Sequence, residues 1–198
     1  MVELACAGQP DLYRQDVAGD SFNTAVYLAR AGLQVDYLTR LGDDSLSDAI
    51  VQRLKDEGVG DQLVAIDEGR QPGLYMISND PGGERHFTYW REHSPAREMF
   101  DQSMRLEGYD VFYLTGITLA VTHSGIDNLV NLLQQLRQQN CRIVFDPNYR
   151  PRLWRDQQQA RLCFQQVLPL CDMVLATLDD EQALWGVDSI VSCHDMYK

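Results

Sequence analysis

Two hydrophobic periodicities alternate along this sequence, and their alternation restricts the possible folds more than any single motif does. Segments in which apolar residues recur every three or four positions predict helices, and short apolar runs of strand length separate them. The predicted helices are 21–31, 46–57, 124–139, 156–168 and 179–185, with a further helix opened by Ser94-Pro95, and the predicted strands are 35–41, 63–66, 111–114, 141–145 and 173–176. This alternation predicts an α/β fold with a mostly parallel sheet covered on both faces.

One segment, GLYMISNDPGGERHFTYWR at residues 73–91, interrupts the alternation. It predicts two strands rich in aromatic and β-branched residues, joined by a turn at 79–83. Tyr89 and Arg91 are two positions apart, so they lie on the same face of the second strand. We expect this hairpin to project from the edge of the sheet, with Tyr75 and Tyr89 outside the main core.

Composition excludes several classes of partner. The 198 residues carry a net charge of −12, which disfavours nucleic acid and anionic membranes, so an anionic ligand needs a local basic cluster. The sequence has neither an apolar run of about 20 residues nor a basic segment followed by an apolar one, and we expect a soluble, cytoplasmic protein. The scattered cysteines predict no disulfide framework and no zinc site; they are Cys6, Cys141, Cys163, Cys171 and Cys193.

Loops that follow predicted strands are where ligands bind in parallel α/β folds. The loop 18–23 is either a helix start capped by Asp20 or Ser21, or a glycine loop that exposes backbone N–H groups to a ligand. The loop 114–118 by itself is a turn. The acidic loop 177–181 is explained by the helix dipole, with a metal or phosphate site as the alternative.

Of these loops, 145–154, with the sequence FDPNYRPRLW, is the one that a purely structural role explains least. Pro147 and Pro151 stiffen it, and Asn148 and Arg150 lie between them. The guanidinium of Arg150 offers the forked donor that suits a carboxylate or a phosphate. This loop therefore predicts an anion contact.

Six segments together resemble the ribokinase-like (PfkB) carbohydrate kinases, and the resemblance is strongest to the branch that phosphorylates 2-keto-3-deoxygluconate. They are AGDSFNTAVYLARAG, LTRLGDD, GLYMISNDPGGERHFTYWR, LTGITLA, FDPNYRPRLW and TLDDEQALWG. The resemblance covers residues 1–186. It implies a ribokinase-like three-layer α/β sandwich in which the hairpin 73–91 is a small β lid over the sugar.

The resemblance also implies roles for particular residues. Arg150 is implied to be catalytic and to lie between the sugar acid and the transferred phosphate. Asn148 is implied to contact the nucleotide. One of the two acids Asp180 and Glu181 is implied to help organise magnesium. No residue is assigned as a direct metal ligand. The residues implied to bind the substrate are Gly19, Asp20, Ser21, Phe22, Asn23, Tyr75, Tyr89, Arg91, Ile117 and Arg150.

The implied reaction is transfer of the γ-phosphate of ATP, with Mg²⁺, to the 6-hydroxyl of a sugar acid. Two alternatives stay open: another PfkB sugar kinase of the fructokinase type, and a non-catalytic product that binds a sugar acid. The resemblance further implies a small-molecule substrate and a homo-oligomer formed through the lid.

Both ends of the chain depart from the family pattern. The first strand of the family would precede Met1, and residues 187–198 have no counterpart in the pattern, so we expect a domain of residues 1–186 that is incomplete at both ends. The G-A-G-D segment, which carries the catalytic aspartate of the family, does not occur in the sequence. We therefore expect this chain alone to be inactive.

Overall fold

Two units make up the chain, residues 1–99 and residues 100–198. The structure is a computed structural model, and it describes residues 1–9, 12–80 and 82–197. Pro81, in the predicted hairpin turn, lies outside the described residues. The predicted boundary at residue 186 falls inside the second unit and stays a prediction, although a helix forms within 187–198.

The first unit contains two sheets and two helices within its described residues. Its elements are β1 (Val2–Cys6), β2 (Tyr13–Val17), α1 (Asp20–Arg30), β3 (Thr39–Gly42), α2 (Ser45–Asp56), β4 (Val64–Asp67), β5 (Leu74–Asn79) and β6 (Arg85–Trp90). One sheet has the strand order β2-β1-β5-β6, and β3 pairs with β4 in the other. The pairs β1–β5 and β3–β4 are parallel, whereas β1–β2 and β5–β6 are antiparallel.

The hairpin is part of a sheet, which differs from the predicted projection off a sheet edge. Its first arm, β5, pairs with β1 from Val2 opposite Leu74 to Ala5 opposite Ile77, so β5 is an interior strand. Its second arm, β6, is an edge strand with every residue exposed. The prediction was wrong for the first arm because β1 and β2 were not predicted, and a strand without a known partner looks like an isolated hairpin arm.

The core of the first unit lies between the two helices and the strands that they cover. The buried faces of α1 and α2 follow helical spacing, which buries one stripe of each amphipathic helix. The α2 N-cap, Asp44, accepts a hydrogen bond from the backbone N–H of Ser47 at 2.8 Å. The buried core residues are Val2, Val17, Phe22, Ala25, Val26, Leu41, Ile50, Leu54 and Val59.

The second unit is a parallel three-stranded sheet with helices. Its elements are β7 (Val111–Thr115), α3 (Gly116–Val121), α4 (Ile126–Gln138), β8 (Arg142–Asp146), α5 (Gln157–Val167), β9 (Met173–Val174), α6 (Leu178–Trp185) and α7 (Ile190–Met196). The strand order is β7-β8-β9. Phe145 of β8 packs edge to face on Phe164 of α5, with ring centroids 5.1 Å apart. The buried leucines of α4 have helical spacing: Leu132, Leu133 and Leu136 follow Leu129 by three, four and seven positions.

The predicted α/β class is confirmed, and the differences are local. The strand predicted at 35–41 becomes a single parallel bridge, Asp36 to Gly60, followed by β3. The helix predicted after Ser94 is one 3-10 turn, Pro95–Glu98. The described strands form three sheets instead of one.

Candidate functional site

Candidate residues lie in both units, and the first group surrounds the start of α1. Gly19 is the N-cap of this helix, and its carbonyl accepts a hydrogen bond of 2.8 Å from the backbone N–H of Asn23. The prediction of Asp20 or Ser21 as the N-cap is therefore wrong, because both already belong to the helix. Glycine has no side chain to cap the first N–H groups, so these groups can bind a polar ligand.

The fold itself does not require glycine at position 19. The Gly19 backbone is extended, with φ of 165°, a conformation that any residue adopts. The nearest atom to an added Cβ would be the Cβ of Phe22 at 3.6 Å, an ordinary contact. A ligand that approaches the backbone closely would require the glycine, so this position is a better indicator of binding than of folding.

The residues after Asp20 differ in what they can offer to a ligand. Phe22 is 3% exposed and packs edge to face against Tyr37, so its side chain belongs to the core. The hydroxyls of Ser21 and Tyr37 share a hydrogen bond of 3.1 Å, and burial raises the pKa of Tyr37 to about 12. Asn23 is exposed. A ligand at this loop would meet backbone groups and Asn23, while Ser21 and Phe22 hold the loop in place.

The two tyrosines of the hairpin are direct cross-strand partners, but their exposure differs. Tyr75 is 8% exposed, and its hydroxyl donates a hydrogen bond to the Glu3 carboxylate. Burial is the main cause that raises the pKa of Tyr75. Tyr89 is 46% exposed and lies 5.8 Å from the Tyr75 ring, with Phe87 stacked beside it. Tyr75 is thus buried on the sheet rather than in the main core, and Tyr89 is open to a ligand.

Arg91 follows β6 and is half-buried. Its guanidinium carbon lies 4.4 Å from the centroid of the Tyr89 ring, which is a cation–π contact. Burial lowers the pKa of Arg91, and the charge of Arg97 acts in the same direction, whereas the nearby Tyr89 and Asp20 oppose both. Removing an arginine from water without a paired carboxylate leaves its charge poorly compensated, so this position favours an anionic ligand.

In the second unit, Ile117 lies in the first turn of α3. The sequence suggested a simple turn here, but residues 116–121 are helical, and the hydroxyl of the N-cap Thr115 accepts from the backbone N–H of Thr118 at 3.2 Å. Gly116 is required by packing, because an added Cβ would lie 1.9 Å from the carbonyl oxygen of Pro147. This close approach seats the end of β7 directly against the loop after β8.

The loop after β8 is shaped by Asp146. The Asp146 carboxylate accepts hydrogen bonds from the backbone N–H of Asn148 and from the hydroxyl of Tyr113, both at 3.1 Å. Asn148 has φ of 33°, in the left-handed region that asparagine tolerates better than most residues. Asp146 and Tyr113 thus position this loop. Neither is among the predicted site residues, although Asp146 stands at the end of a buried strand, where a functional side chain is expected.

Arg150 and Asp180 contact each other, whereas Glu181 lies elsewhere. Arg150 donates to Asp180 at 3.3 Å, and the two side chains are 53% and 17% exposed. Glu181 is completely buried, and burial raises the pKa of its carboxyl group. Of the two acids proposed to organise magnesium, Asp180 therefore has the accessible carboxylate beside Arg150.

The fold has been seen before in solved structures. The PfkB family carbohydrate kinase of Listeria grayi superposes with a TM-score of 0.88 at 24% identity, covering 100% of this chain and 66% of that one. The fold is accordingly that of the ribokinase-like α/β proteins, as predicted. Within the described residues, no helix combines the length and apolar character needed to cross a membrane.

Residues 6–198 match the profile of the pfkB family carbohydrate kinases. The 2-dehydro-3-deoxygluconokinase of Haemophilus influenzae is 41% identical over 182 residues, covering 86% of this chain and 58% of that protein. The enzyme of the same name from Escherichia coli K12 is 38% identical over 197 residues, covering 94% and 63%. The chain belongs to the PfkB family of carbohydrate kinases, and it spans about three fifths of the length of these relatives.

Proposed function

We propose that this chain supplies the sugar-binding part of a kinase that transfers the γ-phosphate of ATP to the 6-hydroxyl of 2-keto-3-deoxygluconate. One observation carries the proposal: Arg91 is half-buried on the ring of Tyr89, and within the described part of the chain no carboxylate forms an ion pair with it. A carboxylate of the substrate would compensate this charge through charge-assisted hydrogen bonds. The names of the relatives at 38% and 41% identity support the same substrate.

The overall charge makes a local arginine necessary for such a substrate. A chain of net charge −12 repels an anionic sugar at long range, and the repulsion must be overcome at the site. Arg91 is the cation of the first unit that we assign to this task. The exposed N–H groups at Gly19 and the side chain of Asn23 would bind the neutral hydroxyls of the sugar.

We assign the catalytic role in this chain to Arg150. Its forked guanidinium is suited to a phosphoryl group, and Asn148 lies in the same loop. The accessible carboxylate of Asp180 fits a magnesium ion that is also held by phosphates, because such ions need only one or two protein carboxylates. When bound, magnesium neutralises negative charge on the phosphates. The buried Glu181 does not fit that position.

The hairpin would exclude water from the sugar as a lid, as closing elements do in phosphoryl-transfer enzymes. Its exposed edge strand, with Phe87, Tyr89 and Trp90 at 48%, 46% and 53% exposure, is also the surface through which we expect a homo-oligomer. All five cysteines are free thiols, and with an ATP-dependent reaction this favours a location in the cytoplasm.

Isothermal titration calorimetry of the 198-residue chain tests the proposal. 2-Keto-3-deoxygluconate should bind, and Arg91→Met should weaken that binding about tenfold or more, the value of a lost charge-assisted hydrogen bond. The matched control is Arg85→Met, an exposed arginine at the other end of β6, which should bind as the unmodified chain does.

Two results would overturn the assignment. If Arg91→Met and Arg85→Met bind the sugar acid equally well, Arg91 does not hold the carboxylate. If fructose binds as tightly as the sugar acid and Arg91→Met leaves both unchanged, the fructokinase-type alternative takes the place of this proposal. ATP, titrated separately, should bind weakly or not at all to this chain.

A further inference from the structure

An ion pair joins the two ends of the hairpin segment. Arg70 precedes β5 and Glu98 follows β6, and the Arg70 guanidinium donates to both carboxylate oxygens of Glu98, at 2.8 and 3.4 Å. The same guanidinium donates to the backbone carbonyl of His93 at 3.1 Å. One side chain thus fixes the return segment, 93–98, against the residue from which the hairpin departs.

A second ion pair attaches this contact to the parallel strands. Arg40 of β3 donates to both carboxylate oxygens of Asp67 in β4, at 3.0 and 2.5 Å, and its third donor reaches the backbone carbonyl of Glu98 at 3.3 Å. Gly42 ends β3 against the backbone of Arg70, and an added Cβ would lie 1.7 Å from the Arg70 carbonyl oxygen. The two ends of the hairpin segment, which we call the hairpin roots, are residues 70 and 98, and both therefore contact the β3–β4 pair.

The hairpin held in this way carries Tyr89 and Arg91, two of the residues that the proposed function assigns to the sugar acid. Its first arm is also held by the parallel pairing of β5 with β1, which begins where the backbone N–H of Val2 donates to the carbonyl of Gly73 at 2.9 Å, and Gly73 lies against the Arg91 side chain. The two ion pairs, Arg70–Glu98 and Arg40–Asp67, form what we call the clamp. Their side chains are partly exposed, from 19% for Asp67 to 43% for Glu98. Exposed ion pairs add little to global stability, so the effect of this one lies in geometry.

We propose that Arg70, acting through Glu98 and His93, is a positioning residue for the hairpin, and that it sets where Tyr89 and Arg91 stand relative to the start of α1. The inference rests on the proposed function, because it concerns the contacts assigned to the sugar acid. Arg70 touches no substrate in this assignment. Its forked donor matters because it must reach two acceptors on one segment, and a lysine has a single point of charge.

Hydrogen exchange measured by mass spectrometry, together with calorimetry, tests the clamp. Arg70→Met should speed exchange severalfold in peptides covering 74–79 and 85–98, and weaken sugar-acid binding about three- to tenfold, because small displacements of positioned groups are costly. Arg70→Lys should give exchange rates and sugar-acid affinity between those of the unmodified chain and those of Arg70→Met. Glu98→Gln added to Arg70→Met should change neither measurement further, since the pair is already broken.

The matched control is Arg30→Met, which breaks another bidentate pair of the same unit, with Glu57 at 2.7 Å for both bonds, away from the hairpin. It should leave hairpin exchange and binding unchanged. The inference is overturned if Arg70→Met leaves hairpin exchange as it was, or speeds exchange equally in α1 and α2. If the unmodified chain binds no sugar acid, the proposed function fails for this chain, and the exchange measurement alone decides whether the clamp exists.

Discussion

Arg91 and Arg150 have different surroundings, and the difference determines how each can meet an anion. Arg91 is half-buried over Tyr89, so a carboxylate ligand would add the compensation that it lacks. Arg150 is half-exposed, and one of its nitrogens already donates to Asp180 at 3.3 Å and to the carbonyl of Tyr149 at 2.9 Å. An anion at Arg150 must therefore compete with a carboxylate or use the remaining donors of the fork.

In a version of the kinase with an intact nucleotide site, Arg150→Lys should weaken binding of the sugar acid about tenfold and affect ATP much less, because lysine keeps the charge and loses the fork. Calorimetry with each ligand measures this, and the exposed neighbour Arg152→Lys is the control. Unchanged affinity for the sugar acid with altered affinity for ATP would reverse the assigned role.

Glycines at two element boundaries separate folding from binding. At the start of α3, Gly116 leaves no space for a side chain, whereas Gly19 at the start of α1 does. The packing of the second unit therefore requires glycine at position 116. Folding does not require glycine at position 19, where close approach of a ligand to the backbone would explain it. Both lie at the start of a helix at a candidate site, Gly19 as the N-cap and Gly116 as the first helical residue, so sequence position alone does not distinguish them.

Gly116→Ala should lower the free energy of unfolding by about 1–3 kcal/mol, since a Cβ there collides with backbone. Gly19→Ala should stay within about 1 kcal/mol of the unmodified chain and yet weaken sugar-acid binding. Denaturant titration and calorimetry measure the two effects. Equal destabilisation by both substitutions would contradict the distinction.

The clamp at the hairpin roots also predicts a pH dependence. Hydrogen bonds from Arg40 and Arg70 lower the pKa values of Asp67 and Glu98 respectively, so both carboxylates hold protons less tightly in the folded state than in the unfolded state. Their contribution to stability is present above the ordinary carboxylate pKa of about 4 and is lost as the pH falls through the lowered folded values. Because both groups are partly exposed, the effect is small.

The double variant Asp67→Asn, Glu98→Gln should consequently lose less stability than the unmodified chain between about pH 5 and pH 3. Denaturant titration at each pH measures the loss. The control is Asp56→Asn, a carboxylate outside the clamp that accepts a hydrogen bond from the neutral amide of Gln52 at 2.8 Å. A double variant with the same acid dependence as the unmodified chain would show that the clamp carries no such linkage.

At the scale of the whole molecule, two acids of the second unit near the candidate loops, Asp146 and Asp180, already take part in other contacts. Asp146 accepts from Tyr113 and from the Asn148 backbone, and Asp180 accepts from Arg150. Asp179 lies exposed in the first turn of α6, where it is explained by the helix dipole. None of the three is placed as an obvious base for a sugar hydroxyl, and the sequence contains no G-A-G-D segment.

We therefore predict that the 198-residue chain shows no sugar-dependent release of ADP in a coupled assay with Mg²⁺, ATP and 2-keto-3-deoxygluconate. Phosphoryl transfer needs positioned reactants and a group that accepts the hydroxyl proton. Turnover that disappears in Arg150→Ala would show that a base lies within these residues, and Asp180→Asn would be the next variant to assay.

Local periodicity was sufficient for most helices and for the strands of the second unit. The buried leucines of α4 and the apolar run of β8 have spacings that only one element type satisfies, so α4 and β8 were predicted within two residues of their bounds. The resemblance carried by short motifs gave the family. It also gave the candidate residues of the hairpin and of the loop after β8, because those motifs are contiguous.

Tertiary structure decided what depends on a distant partner. The strands β1 and β2 are short and half-polar; they pair with each other, and the pairing of β1 with β5 joins them to the hairpin in one four-stranded sheet. The role of Arg70 was invisible in sequence because its acceptors lie 23 and 28 residues away. The sequence also could not show which of Asp180 and Glu181 is buried. Neighbouring residues on a helix point about 100° apart, and only packing determines which of the two faces the core. Sequence thus determined the elements and the family, whereas long-range contacts determined which side chains are free to bind.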